Sequence, residues 1–171
     1  MRPPEQGGTN MDISGYSALS RHLEEKIIAY WHDVDFHWGS KASGHYTPDG
    51  TFLSPNARYE GREQIAEFYA WRKDRGERVN VHLVGNFYLR AAEGDRAEAH
   101  WICTLFAQDG PAPQPSAPPI AISRVEDVFL RQPDGEWLCR ERVWHTLFRG
   151  GAKTTALSAA EMADRLARRT G

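Results

Sequence analysis

Four stretches in the second half of the chain alternate apolar and polar residues with period two: Val79–Arg90, Arg96–Gln108, Ile120–Gln132 and Trp137–Phe148. Period two sends successive side chains to opposite faces, so each stretch is predicted to be a strand. Turn residues separate them, with Glu93-Gly94-Asp95 after the first and Pro133-Asp134-Gly135-Glu136 before the last. Residues 109–119 form a longer link whose prolines exclude helix and favour a stiff extended loop. Strands this long in a small sheet twist and curl, which creates a concave face. Gly85, inside the first strand, is a natural bulge or bend point.

Ahead of the strands the period is helical. Leu19, Leu23, Ile27, Tyr30 and Val34 recur at steps of three and four and share one face of a helix, with Ser17 or Ser20 as its cap and Gly39 at its end. Ile65, Phe68, Tyr69 and Arg72 mark a second helix over residues 62–75. A turn or short helix is expected at 39–46, and Thr51–Ser54 reads as a short strand closed by Pro55. Residues 1–12 read as a disordered arm, 13–150 as one α+β domain, and 151–171 as a tail with an amphipathic helix over Ser158–Arg169. Helices followed by antiparallel strands predict a cone-shaped curved antiparallel sheet of about four long strands plus a short one. The N-terminal helices would close an apolar pocket in its mouth.

Charge and composition narrow the function. A net charge of −2 argues against nucleic-acid binding, which needs a basic surface. No apolar run is long enough for a membrane span, and the first residues lack the apolar core of a secretory signal. The two cysteines, Cys103 and Cys139, each lie in an apolar stretch, which fits buried thiols in a cytoplasmic protein.

The densest polar cluster is Tyr30-Trp31-His32-Asp33-Val34-Asp35-Phe36-His37. On an ideal helix Asp33 lies about 60° from Tyr30 and Asp35 about 140° away, so spacing pairs Tyr30 with Asp33 and reaches Asp35 only where the helix ends. A solvated helix end explains the same charges equally well. Along the first long strand, His82, Val84, Asn86 and Tyr88 alternate with Val81, Leu83 and Phe87, so His82 and Asn86 belong to one partly polar face. A lone strand histidine is more often structural, and His100 on the next strand is weaker still. Arg124, Glu126, Arg140 and Arg142 read as an outer ion-pair ladder, with Val125, Phe129, Trp137 and Val143 facing inward. No spacing matches a metal site, a phosphate loop or a nucleophile elbow, so neither a metal nor a cofactor is implied.

Taken in order, Tyr30-Trp-His-Asp-Val-Asp35, Tyr46-Thr-Pro-Asp-Gly-Thr-Phe52, Tyr59-Glu-Gly-Arg-Glu-Gln-Ile65, His82-Leu-Val-Gly-Asn86 and Val125-Glu-Asp-Val-Phe-Leu-Arg131 resemble the SnoaL-like branch of the nuclear transport factor two-like superfamily. The resemblance implies a curved sheet whose helices line a deep apolar pocket, and a homodimer or homotrimer built through the convex face. Within that superfamily the pattern is similar to dehydratases of the scytalone and bile-acid 7α type. That likeness puts a pocket tyrosine on Tyr30, an aspartate on Asp35 and a histidine on His82, with Asp33, Asn86, His100 and Tyr59 as further pocket candidates. It departs at Leu105, where a further acid would fall, and at His100, which sits several residues early. The implied activity is cofactor-free acid–base chemistry, a dehydration or isomerisation, on a small apolar polyketide-, steroid- or aromatic-like molecule. Small subunits of ring-hydroxylating dioxygenases also look like this, which makes a non-catalytic binding or assembly module the alternative. The loop at 109–119 and the C-terminal helix are the expected lids or subunit contacts.

Overall fold

Asp12 starts the first helix, its carboxylate accepting from the Gly15 amide at 2.7 Å and satisfying one of the donors that a helix start leaves open. In the computed structural model, which describes residues 12–150 and 156–169, helix α1 runs Ile13–His37 and buries Leu19, Leu23, Ile27, Tyr30, Trp31 and Val34. The cap is therefore Asp12 and neither Ser17 nor Ser20, because the helix begins before its apolar stripe does. The arm expected at 1–12 lies, Asp12 apart, outside the described residues. α1 ends where Trp38 and Gly39 adopt left-handed backbone, with φ of 61° and 69°. Glycine is needed at the second position, since a Cβ there would stand 2.5 Å from the Tyr69 ring.

A 3-10 turn over Ala42–His45 leads to β1 (Tyr46–Ser54), β2 (Ala57–Glu60), α2 (Gly61–Asp74), β3 (Arg78–Glu93), β4 (Arg96–Asp109), β5 (Ala121–Arg131), β6 (Trp137–Arg149) and α3 (Ala159–Arg169). The four long strands are β3 to β6, as the alternation predicts. β2 is additional, and β1 extends back to Tyr46 because Pro48 falls in an irregular stretch of the ladder. There the pairing with β6 jumps from Tyr46–Cys139 to Thr51–Glu141. The strands form one curved, unclosed sheet in the order β2-β1-β6-β5-β4-β3. All neighbours are antiparallel except β1 and β6, which run parallel. The α+β cone is thus the observed architecture, with α1 and α2 packed into its concave side.

Bulges bend the strands and decide which side chains face inward. In β6, Phe129 pairs with Cys139 while Val128 pairs with Glu141, so Arg140 is the extra residue. Trp137 and Cys139 point inward before it, and Arg142, Trp144 and Thr146 after it. This corrects the expected outer ladder. Arg142 is only 2% exposed, and Val143 takes the outer side in its place. The other members do lie outside, Arg124 pairing with Glu126 at 2.8 Å and Arg140 with Asp49 at 3.3 Å.

Arg142 organises the centre of the core. Its Nε and Nη2 donate to the Asp127 carboxylate at 2.8 and 2.9 Å, and the Trp101 indole donates to the same group at 2.9 Å. Tyr30, Trp31, Tyr46 and Trp101 surround the guanidinium at 4.6 to 5.8 Å from their ring centres. Burial opposes the charge, but the Asp127 carboxylate outweighs it and holds Arg142 well above the ordinary arginine value.

At the other end of the chain, Ser158 and Glu161 cap α3 reciprocally. Arg165 and Arg169 tie the helix to Glu67 of α2, and Arg165 also meets Asp74 at 2.7 Å. The Tyr59 hydroxyl accepts from the Leu157 amide at 2.9 Å and donates to the Leu157 carbonyl at 3.3 Å.

Asp127→Asn removes the anion paired with the buried Arg142 cation, which costs about 3–5 kcal/mol when one partner of such a pair is lost. Urea unfolding should show a stability loss of that size. A loss under about 1 kcal/mol would mean that the aromatic cage alone satisfies the guanidinium.

Candidate functional site

Trp31 and Asp35 lie one turn apart on α1, so both face the same neighbour, strand β3. Asp35 Oδ1 accepts from His82 Nδ1 and from Asn80 Nδ2, each at 2.6 Å, while Oδ2 accepts from the His82 backbone amide at 2.8 Å. Three donors from one strand therefore hold the carboxylate. The His82 ring stacks on Trp31 with centroids 4.0 Å apart and planes 18° from parallel. A carboxylate only accepts, so the Asp35 contact fixes the imidazole proton on Nδ1 and leaves the lone pair on Nε2. Burial lowers the pKa of His82, and Asp35 offsets only part of that, so the ring is neutral at neutral pH.

His82 lines a cavity of about 130 Å³ between the sheet and the two long helices. That volume is close to that of an engineered apolar cavity that admits benzene. Trp31, Phe52, Phe68, Leu105 and Trp144 supply apolar wall, and His82, Tyr69, Arg72 and Ser123 supply the polar positions. Arg72 Nη2 donates to Asn80 Oδ1 at 3.3 Å, extending the network from Asp35 to the end of α2. Cys103 also lines the cavity, where burial pushes its thiol up and keeps it protonated.

The Tyr69 hydroxyl is hydrogen-bonded to that of Tyr30, and Tyr46 donates to Tyr30 at 3.5 Å. Burial raises all three phenols well above the ordinary tyrosine value, so they remain protonated. Tyr69 lines the cavity, whereas Tyr30 lies one layer behind it, over Arg142.

The remaining candidates separate. Asp33 is buried but accepts from Ser40 Oγ at 3.2 Å and the Lys41 amide at 2.8 Å, so it closes the end of α1 and does not pair with Tyr30. Tyr59 lines the cavity, stacked between Phe52 and Phe68. Asn86 is exposed at the β3 bulge with φ of 50°, and the break in pairing between Gly85 and Tyr88 turns Tyr88 outward as well. His100 sits on the outer face against Tyr88, ring centres 5.1 Å apart, because Ala99 and Trp101 take the inward positions. Asn86 and His100 are therefore not pocket residues. Among the described residues, no cavity wall comes from 109–119; the mouth is bordered by residues 54–57, Arg149 and Ala156.

Sequence reasoning passed over Tyr69, Arg72 and Asn80. Tyr69 and Arg72 stand in a helical period that reads as ordinary core. Asn80 carries a usable signal, since it lies two residues before His82 and so on the same strand face.

A family model described as a SnoaL-like domain matches residues 23–143. No curated protein matches the sequence. Several solved structures share the fold. ActVI-ORFA from Streptomyces coelicolor is 20% identical with a TM-score of 0.64, the match covering 76% of this chain and 98% of that one. A Catenulispora acidiphila protein solved in complex with S-DNPA is 20% identical with a TM-score of 0.61, over 76% of this chain and 94% of that one. An NTF2-like protein with a cystatin-like fold from Novosphingobium aromaticivorans is 24% identical with a TM-score of 0.61, over 89% and 96%.

His82 and His45 make stability depend on pH with one sign. Burial lowers both pKa values, that of His45 to about 4, with Lys26 and Arg142 adding to the effect. Below about pH 6.5 the unfolded chain binds protons that the native rings refuse. Stability should therefore be full above pH 6.5 and decline as pH falls from there towards 4. In melting curves taken from pH 7.5 to 4.5, His45→Gln should flatten that decline; a slope equal to wild type would refute the assignment.

Proposed function

This chain belongs to the SnoaL-like domain family, and from that premise we propose that it is an acid–base enzyme acting on a small, mostly apolar ring compound by dehydration or double-bond isomerisation. The observation that carries this reading is the Asp35–His82 pair at the wall of an aromatic cavity, with Nδ1 committed to the carboxylate at 2.6 Å. A neutral imidazole at the wall of a mostly apolar cavity, with its lone pair left on Nε2, is suited to take a proton from carbon next to a carbonyl. Asp35 orients the ring and stabilises the imidazolium as it forms. Asn80 holds Asp35 in turn.

The acid side of the reaction falls to Tyr69. Tyr69 lines the cavity and burial keeps its hydroxyl protonated, so it is the phenol available to donate to a developing oxyanion or to a departing hydroxyl. Tyr30 and Tyr46 extend that hydroxyl into a chain over the Arg142 charge, so Tyr30 acts as a positioning residue behind Tyr69. In dehydration, His82 Nε2 takes the carbon-bound proton, the C–O bond breaks, and the leaving hydroxyl departs as water with a proton from the tyrosine pair. In isomerisation the same imidazole returns its proton at a different carbon. The alternative, a binding or assembly module without chemistry, gives no account of why a histidine is stacked, buried and fixed in one tautomer at the cavity wall.

Proton abstraction is testable without the natural substrate. In D2O, bicyclic aromatic ketones such as 1-tetralone should exchange their α-hydrogens faster with the protein than in buffer. His82→Ala should lower that exchange by about 10²–10⁴-fold, the usual worth of a positioned base. The wild-type rate should rise with pH through an inflection below 6.5, as the imidazole loses its proton. Full exchange by His82→Ala would remove His82 from the role.

A further inference from the structure

The inward side of β5 carries Ala121, Ser123, Val125, Asp127 and Phe129. Val125 and Phe129 fill the core, and Asp127 pairs with Arg142. Ser123 does neither. It is only 4% exposed and lines the cavity, and its hydroxyl has no hydrogen-bond partner among the described residues. Across the β5–β6 ladder it pairs with Thr146, which also lines the cavity and whose hydroxyl is likewise unpartnered among them. Buried polar groups are nearly always hydrogen-bonded, and leaving a hydroxyl without a partner costs stability. Packing gains nothing from two of them side by side, where alanine and valine would fill the same space.

The rest of the wall suits a neutral ligand. No aspartate or glutamate is among the described lining residues, and Arg72, the cation in the wall, is linked through Asn80 to the buried Asp35 carboxylate. Serine and threonine hydroxyls each donate and accept, so a ligand hydroxyl between them accepts from one and donates to the other, whereas a carbonyl only accepts. The position relative to His82 follows from the register. His82 pairs with Leu105 and Leu105 with Ala121, so Ser123 lies two strands away and one inward row along. Strands are about 4.8 Å apart and successive inward residues about 7 Å, which makes the separation about 12 Å along the sheet. Two fused rings span it, with a hydrogen bond at one end and the reacting carbon against Nε2 at the other.

We propose that the Ser123–Thr146 pair is a hydroxyl-binding subsite, and that the cavity selects an uncharged two-ring compound whose hydroxyl sits on the ring remote from the reacting carbon. Held there, the rings lie along the aromatic wall of Phe52, Phe68 and Trp144 and bring their other end to His82. The pair confers specificity and takes no part in bond making. An analogue without the hydroxyl leaves two wall groups unpaired, which is how a site of this kind rejects it. The proposal rests on the acid–base reading for the reacting end, while the subsite itself needs only binding.

The test compares 6-hydroxy-1-tetralone with 6-methyl-1-tetralone, in which a methyl of similar size replaces the hydroxyl, by titration calorimetry on the full chain at neutral pH. Wild type should bind the hydroxy ketone at least about tenfold more tightly. Ser123→Ala combined with Thr146→Val should remove the preference and leave the methyl ketone bound at least as tightly as by wild type. Ser123→Ala alone, which deletes one oxygen, should cut the preference by about threefold or more, and it serves if the double variant does not fold. Thr146→Ser, which keeps the hydroxyl, should retain the preference. Equal binding of the two ketones by wild type, meaning that the pair holds only water, overturns the subsite. So does absence of hydroxy ketone binding, or an undiminished preference in Ser123→Ala or the double variant. If the preference holds but α-hydrogen exchange does not depend on His82, the acid–base reading fails and the subsite stands. If exchange depends on His82 but the preference is missing, only the subsite fails.

Discussion

The buried Arg142–Asp127 pair is the contact on which the rest of the molecule is hung. Removing both charges from water costs several kcal/mol, and the two-pronged hydrogen bond with the Trp101 donor is what offsets it. The pair joins neighbouring strands β5 and β6, and it forms only if the extra residue at Arg140 has turned Arg142 inward. The rings packed over the guanidinium belong to α1, β1 and β4, so the same cation locates a helix and two more strands. An all-apolar core would tolerate sliding of α1 along the sheet. A point charge ringed by four aromatic groups tolerates little.

The site inherits its geometry from that placement. Trp31 touches the Arg142 cage on one side and the His82 ring on the other, and Asp35 follows one turn later. Tyr30, next to Trp31, carries the cage to Tyr69 through its hydroxyl. The His82 side and the Tyr69 side of the cavity are thus set by adjacent residues of one helix turn. Both use the same means: a side chain at the wall, fixed by a buried partner on α1.

Much of this was legible in the sequence, and the failures share a cause. Period two located β3 to β6, and helical period located α1 and α2, because apolar residues follow the geometry of the face they bury. His82 and Asp35 were named, but ideal helical spacing preferred Asp33, which instead closes the end of α1. Spacing along one element cannot register that Asp35 reaches across to three donors on β3. Arg142, Val143, Asn86 and Tyr88 were misjudged by strict alternation, and His100 by the family resemblance. For four of these a bulge inverts parity or exposes the residue; Gly85 marks one of the bulges in the sequence, but the one at Arg140 leaves little trace in composition. His100 has no such excuse; its inward neighbours Ala99 and Trp101 already argued against it. Tyr69 and Arg72 were hidden because a helix face that lines a cavity has the same period as one that lines a core.

The parallel junction of β1 with β6 has a consequence for how the chain is made. Phe52 pairs with Arg142, so the side of β1 away from β2 must wait for nearly the whole domain to be synthesised before its partner exists. Meanwhile β3, β4 and β5 are consecutive antiparallel neighbours and can pair as they emerge from the ribosome. The nascent sheet therefore has an open edge at β5 until residues 137–149 arrive, and β6 then closes it from both sides at once. Long-range pairing of this kind is slow, and exposed edges are where partly folded chains associate. The cavity, whose walls include β1 and β6, comes into being only with that last strand, so a chain stalled short of it has a sheet but nowhere to hold a ligand.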